Sequence, residues 1–315
     1  MSEFDLIREY FFWQPKPDNV CVSVGDDAAV LRVPAAKQLV VSVDTSNAGV
    51  HFPLETAPHA IGYKALAVNL SDLAAMGAEP AWFTLALSMP AADEGWVREF
   101  TRGMRELAEQ HGIFLIGGDT TRGALSITIQ VMGFVEPSKA LLRSGAQHGD
   151  LICVSGTLGD AAAGLAVLQQ RLTLPTEAAA FCIQRLNYPS PRLAFANSLL
   201  GRANACMDIS DGLLADLGHL LRASGVGARL QHTLIPFSAA LQHIALAQRL
   251  DFALRGGDDY ELLFTMPKQN LCEVQQAAGR QQVQVTVIGE VDANQDGLVI
   301  DYTFADNRQG YEHFS

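Results

Sequence analysis

Aspartate is the residue type whose placement in this chain could do chemistry. Four short runs set carboxylates beside glycine or serine after apolar stretches: Gly25-Asp26-Asp27, the run LVVSVD ending in Ser42-Val43-Asp44, the run IFLIGGD ending in Gly118-Asp119, and Met207-Asp208-Ile209-Ser210-Asp211-Gly212. One Asp before a Gly is usually a turn or a helix cap. Four such runs, each abutting a buried-strand pattern, read as turns at strand ends, where α/β proteins place their sites. Asp72 is a different kind of signal. It shares a face with Asn69 in YKALAVNLSDLAAMGA, a helical pattern apolar on most sides. A carboxylate in such a helix is costly unless it is paired or metal-bound. Lys64 or a backbone amide is the alternative partner.

If these carboxylates converge, like charges within a few ångströms cannot all ionise unaided. Divalent cations remove that conflict. Carboxylates and the Ser42 hydroxyl are hard oxygen donors, which select Mg²⁺ over zinc, and Mg²⁺ commonly bridges to substrate phosphates. The expected site is therefore a metal–phosphate site with room for several ions. The sequence has no G-x-x-x-x-G-K-[ST] loop and no kinase-type lysine with H-R-D. SGTLGD at 155–160 reads as a strand, a glycine turn and a helix start. Such a turn can offer amides to a phosphate, but alone it is weak evidence, and close strand–helix packing is the preferred role. Arg143 could clamp a phosphate bidentately or be an ordinary surface residue.

The rest of the chain must position these groups. Its 315 residues suit two domains, and 49% apolar with 18% charged residues supplies a sizeable core, which excludes a disordered chain. Lys and Arg number 22 against 34 Asp and Glu, a net charge of −12, which argues against nucleic acid and against a polybasic membrane anchor. Cys21, Cys153, Cys182, Cys206 and Cys272 are scattered without a C-x-x-C pair, the pattern of reduced thiols in a cytoplasmic protein. The first residues, MSEFDLIREYFF, lack the order of a signal peptide, and the longest apolar run, around 81–89, is too short to span a bilayer.

Apolar spacing predicts helices over 3–12, 57–76, 93–110, 159–170, 177–186, 192–200 and 213–223. A PKP loop occupies 15–17. Strands are expected at 28–33, 39–43, 82–89, 113–116, 125–135, 151–154, 206–209, 228–232, 262–266, 282–287 and 298–302. The segment SKALLRSGAQHG mixes small, basic and turn residues, so a boundary is placed there. The reading is an α+β protein with an N-terminal domain at 1–137 and a C-terminal domain at 138–315.

A family resemblance enters at these residues. GDDAAVL (25–31), SVDTSNAGVHF (42–52), YKALAVNLSDLAAMGAEPAWFTLALSMP (63–90), LIGGDTTRG (115–123), RSGA (143–146), VSGTLGDAAAGL (154–165), MDISDGLLADL (207–217), GGDDYELLFT (256–265) and GYEHF (310–314) resemble, in order, the thiamine-monophosphate kinases. The wider superfamily includes aminoimidazole ribonucleotide synthetase, selenophosphate synthetase and a hydrogenase maturation dehydratase. The resemblance implies a two-domain α+β fold, a homodimer formed through the N-terminal sheet, and ATP held through several Mg²⁺ ions. It implies metal ligation by Asp27, Ser42, Asp44, Asp72, Asp119, Asp208 and Asp211, with the Val43 carbonyl. Gly118, Asp119, Arg143 and Ser210 would contact ATP, and His51, Asp258 and Tyr311 would face thiamine monophosphate. Asp44, Asp119 and Asp208 are the acids assigned to the reaction itself. Read alone, His51 and Tyr311 are ordinary loop and C-terminal residues.

Two departures stand out. The family often has Gly-Gly-Glu-Asp where this chain has Gly256-Gly257-Asp258-Asp259, and Trp where it has Tyr311. Asp keeps the charge with a shorter reach, and Tyr keeps an aromatic face for a cationic ring. Two other readings stand beside the kinase: a related ATP-dependent ligase that activates an amide or formyl oxygen, and a non-catalytic nucleotide sensor. The GYEHF terminus and the HF after the second acidic run favour the kinase.

Overall fold

The structure, a computed structural model, describes residues 3–12, 17–304 and 310–311. Pro15 and Lys16 of the expected loop, and residues 312–314 of GYEHF, lie outside the described residues. The chain folds as two compact units, one holding residues up to 73 and 78–138, the other 74–77 and 139 onward.

The first unit contains α1 (Glu3–Tyr10), β1 (Val20–Val22), β2 (Val30–Leu31), β3 (Gln38–Asn47), α2 (Pro58–Ala75, its last two residues counted with the second unit), β4 (Glu79–Met89), α3 (Glu94–His111), β5 (Phe114–Arg122) and β6 (Ser126–Val135). Its main sheet runs β3-β6-β4-β5, with β5 parallel to β4 and the other pairs antiparallel. Ile127, Ile129 and Val131 of β6 are buried, while Thr128 and Gln130 between them are not, the period-2 pattern of a sheet with unlike faces. Helix α3 starts at Asp93, which accepts the Trp96 amide at 2.9 Å, and ends at the left-handed Gly112. Helix α2 buries Leu66, Leu70 and Leu73, and α3 buries Phe100, Met104 and Leu107. The two helices touch through glycine. A Cβ on Gly62 would stand 1.9 Å from Phe100 O, and one on Gly103 would stand 2.0 Å from His59 O.

The second unit contains β7 (Leu151–Ser155), α4 (Asp160–Leu168), α5 (Thr176–Asn187), α6 (Leu193–Leu199), β8 (Ala205–Asp208), α7 (Leu213–Ser224), β9 (Gly227–Leu230), α8 (Leu246–Arg255), β10 (Leu262–Met266), α9 (Leu271–Arg280), β11 (Val285–Asp292) and β12 (Leu298–Ile300). Its sheet runs β12-β9-β11-β7-β10-β8, antiparallel except for β12 against β9. Strand β10 is buried at every position, as an apolar run without alternation requires. Ile152, Val154, Met207, Ile209, Leu213, Leu217 and Leu263 share one core cluster.

Three expectations are corrected. Asp44 and Asp119 do not sit in turns after strands: β3 continues through Asn47 and β5 through Arg122, so both acids lie within edge strands. The glycines before Asp119 hide this extension, because glycine disfavours strands in isolation. Here Gly118 is demanded by contact, since a Cβ on it would meet Leu85 O at 1.9 Å. Helices α8 and α9 were not expected from the sequence. Finally, β11 begins three residues later than expected, after a turn in which Gln282 has φ of 57°.

Candidate active site

In the first unit, the helix that crosses β3 brings polar groups to that strand. Ser42 Oγ donates to Asp72 Oδ2 at 2.6 Å, and the Asp44 amide donates to Asn69 Oδ1 at 3.1 Å. Asn69 is itself fixed by donating to Ala65 O at 2.9 Å. The shared face expected for Asn69 and Asp72 is thus the face turned to β3, where Asp72 has the Ser42 hydroxyl as a partner. Lys64 donates to His51 O at 3.4 Å, and His51 Nδ1 accepts the Asn47 amide at 2.9 Å. A neutral His51 ring in this arrangement carries its proton on Nε2.

Asp119 is not beside Asp44. Asp44, Ile129, Leu85 and Gly118 occupy one row across the four strands. The row separates Asp44 from Gly118 by three strand spacings, about 14 Å. Asp27 is exposed in the turn between β1 and β2, where its amide donates to Asp26 Oδ1 at 2.9 Å.

In the second unit, five of the expected residues gather around one turn. Asp208 ends β8 opposite Leu262 and is 5% exposed. Ser210 and Asp211 follow in the turn that opens α7. Ser210 O accepts the Asp258 amide at 2.9 Å, Ile209 O accepts the Tyr260 amide at 2.8 Å, and Asp211 O accepts the Tyr311 amide at 3.0 Å. Asp258 and Tyr311 therefore dock on the same turn from separate parts of the chain. Asp258 and Tyr260 adopt left-handed backbone, with φ of 71° and 49°. Such residues cost free energy and persist where the surroundings fix them. Arg143 is exposed on a segment bonded to the outer edge of β8, where Leu142 O accepts the Cys206 amide at 2.8 Å.

Buried ionic groups lie behind this turn, and the sequence reading missed them. Glu261 is 1% exposed. It takes hydrogen bonds from Arg192 at 2.7 and 2.5 Å, from Arg185 at 2.8 Å and from Ser155 at 2.5 Å. Burial opposes its ionisation, but the two guanidinium groups outweigh burial and hold it below the ordinary glutamate value. Asp259 accepts the Gly159 amide with both oxygens, at 3.0 and 2.9 Å, and burial pushes its pKa well upward. The Gly159 amide therefore serves a protein carboxylate, and a Cβ there would stand 2.8 Å from Ala253 N. Close packing accounts for that glycine. Asp216 is also buried; burial first, then the Asp211 charge, push it up to about 7 against its backbone hydrogen bonds. A cavity of about 790 Å³ in this unit, lined by Arg222, Arg255, Leu298 and Tyr302 among others, contains none of the candidate acids.

Among the described residues no three His, Cys, Asp or Glu side chains stand together as a metal cage. The Ser42–Asp72 pair is nonetheless an all-oxygen donor set, suited to a cation that completes its shell with water and phosphate oxygens, as Mg²⁺ does.

The chain matches the AIR synthase related protein models, the N-terminal domain over residues 25–135 and the C-terminal domain over 147–301. It is 46% identical to the thiamine-monophosphate kinase of Escherichia coli O157:H7, over 100% of this chain and 98% of that one. The chain belongs to the thiamine-monophosphate kinase family. The crystal structure of the thiamine-monophosphate kinase from Stenotrophomonas maltophilia K279a superposes with a TM-score of 0.86 at 47% identity, covering 90% of this chain and 92% of that one. The complex of AaThiL with AMPPCP and TMP superposes with a TM-score of 0.80 at 33% identity, covering 93% and 92%.

Against that kinase family, the residues missed in sequence have one signal in common. Asp216, Asp259 and Glu261 are acids inside apolar runs, LLADL and DDYELLF, as Asp72 is inside LSDLAAM. The same cost of burial that marked Asp72 marks them.

Proposed function

We propose that the chain transfers the γ-phosphoryl group of ATP directly to the phosphate of thiamine monophosphate, giving thiamine diphosphate and ADP. The observation that carries this reading is identity of 46% to a thiamine-monophosphate kinase along the whole chain. The AaThiL complex with AMPPCP and TMP supports ATP and thiamine monophosphate as the substrates.

Asp27, Ser42, the Val43 carbonyl, Asp44, Asp72, Asp119, Asp208 and Asp211 are the Mg²⁺ ligands in this reading. Bound Mg²⁺ screens the negative charge of the two phosphate groups and helps to orient them. Gly118, Asp119, Arg143 and Ser210 hold ATP. Gly118 offers its backbone on edge strand β5, and the exposed Arg143 is placed to pair with a phosphate. His51, Asp258 and Tyr311 take thiamine monophosphate, with the negative Asp258 and the Tyr311 ring suited to its cationic thiazolium. The acceptor is a phosphate oxygen, ionised near neutral pH, so the reaction needs no strong general base. A site made of carboxylates, without a catalytic Cys, fits that chemistry.

The domain at 1–137 is assigned ATP and Mg²⁺ binding and dimerisation, and 138–315 is the C-terminal α+β domain, which carries Arg143, Asp208, Ser210 and Asp211. A homodimer through the N-terminal sheet is supported by edge strand β3, where Leu39, Val41 and Val43 are 42%, 47% and 57% exposed in one line. An apolar edge of this kind calls for a cover. No helix among the described residues is long and apolar enough to cross a membrane. The five free thiols and the net charge of −12 support a cytoplasmic enzyme that binds neither nucleic acid nor membrane.

The test is ADP release by the purified chain with ATP, Mg²⁺ and a panel of acceptors. Release that requires thiamine monophosphate and stops when EDTA removes Mg²⁺ is the expected result. Turnover only with an amide or formyl acceptor would move the chain to the ligases, and ATP binding without turnover would make it a sensor.

A further inference from the structure

Asp216 has no part in the reading above, yet it is 2% exposed and lies one turn into α7. Its Oδ2 accepts the amide of Ser210 at 3.0 Å and that of Asp211 at 3.1 Å. On the other side, Ser210 O accepts the Asp258 amide at 2.9 Å. Both backbone groups of Ser210 are thus fixed by the protein, the N–H by Asp216 and the carbonyl by the 257–260 segment. Gly212, with φ of 113°, lets the chain turn from Asp211 into the helix, and a Cβ there would stand 2.9 Å from Arg255 C. Asp208 and Asp211 flank this turn, and it is held by few elements of its own, being neither strand nor helix. Left to itself, such a turn would relax, and nucleotide binding would have to restore it. A carboxyl oxygen that takes two backbone amides at once holds the turn in one shape.

We propose that Asp216 is a positioning residue that preorganises the Asp208–Asp211 turn for nucleotide and Mg²⁺. This rests on the reading that Ser210 contacts ATP and that Asp211 ligates Mg²⁺. Asp216 touches neither; it acts through the backbone of the residues that do.

The test compares Asp216→Ala, Asp216→Asn and Asp211→Asn in the full chain. Three quantities are read: the half-saturating Mg²⁺ concentration, the KM for ATP, and the affinity for AMPPCP by calorimetry. Melting temperature without ligand is recorded for each variant. Loss of both amide bonds raises the first two at least ~10-fold in Asp216→Ala and weakens AMPPCP similarly, with a smaller change in kcat. Asp216→Asn keeps one neutral acceptor and shows a rise of about 3-fold. A lower melting temperature with unchanged Mg²⁺ requirement and unchanged KM would overturn the proposal, because a purely structural residue behaves that way. Should Asp216→Ala not fold, Asp216→Asn decides on the same readouts: a rise supports the proposal and no change overturns it. If Asp211→Asn leaves the Mg²⁺ requirement and the ATP affinity as they were, the assignment of the turn itself fails. If Asp211→Asn impairs both and the Asp216 variants do not, only the positioning role fails.

Discussion

Ser42 and Asp72 meet at 2.6 Å although thirty residues of chain separate them. That contact explains why a carboxylate is tolerated in a helix as apolar as α2. Beside it, the Asn69 amide oxygen fixes the backbone of Asp44 rather than its side chain. Asp44→Asn therefore keeps the backbone bond to Asn69 and the size of the side chain while removing a negative charge. It is expected to fold normally and to lose turnover by about 100-fold or more at saturating Mg²⁺, measured by ADP release against circular dichroism of the same sample. Deeper in the second unit, Glu261 is ionised because Arg192 and Arg185 outweigh its burial. A carboxylate with a lowered folded pKa stabilises the protein above its unfolded value, and that stability is lost as pH falls through the folded value. Arg192→Ala leaves the buried charge with one guanidinium, at a cost of about 3 kcal/mol near neutral pH. The deficit in melting temperature should shrink on acidification as Glu261 gains its proton and no longer needs the second cation. A deficit independent of pH would show that Arg192 acts through packing alone.

Elements set the spacing of these groups, and glycine sets the spacing of the elements. Gly62 and Gly103 let α2 and α3 approach until each backbone touches the other. Alanine is the better helix former, yet Gly62→Ala would force a methyl into the Phe100 carbonyl. A loss of about 2 kcal/mol is expected in chemical denaturation, with a higher Mg²⁺ requirement because α2 carries Asp72. Equal or greater stability would mean that the helices are free to separate. Much at this scale was legible in sequence. The alternation in β6, the apolar run of β10 and the half-buried acid in α2 each announce their element. What escaped notice was decided by partners distant in the chain. Asp119 sits within β5 because β4 pairs with it in parallel, and nothing near Gly117 and Gly118 announces that partner. Helix α8 buries Leu250, Phe252, Ala253 and Leu254 but has no capping side chain at Ala245, so it carries no start signal. Helix α9 is short and buries mainly Val274, Ala277 and Ala278, too little apolar bulk to stand out. The candidate acids were visible as residues, while their partners, Ser42 with Asp72 and Asp258 with Ser210, needed the fold.

At the scale of the whole molecule, the acids divide between two units, and β3 and β5 form opposite edges of the N-terminal sheet. The apolar line on β3 is the feature a second copy would cover. Leu39→Lys combined with Val41→Lys places two charges in that line without touching a proposed ligand. The double variant is expected to sediment as a monomer where the unaltered chain sediments as a dimer. A monomeric unaltered chain would remove the dimer from the proposal. The most direct measurement of the reaction follows the terminal phosphoryl group. ATP labelled with ¹⁸O at the γ position is turned over with thiamine monophosphate and Mg²⁺, and the products are weighed by mass spectrometry. Direct transfer places the label in the outer phosphate of thiamine diphosphate, one labelled product for each ADP. Label recovered only in inorganic phosphate, with thiamine monophosphate unchanged, would contradict it.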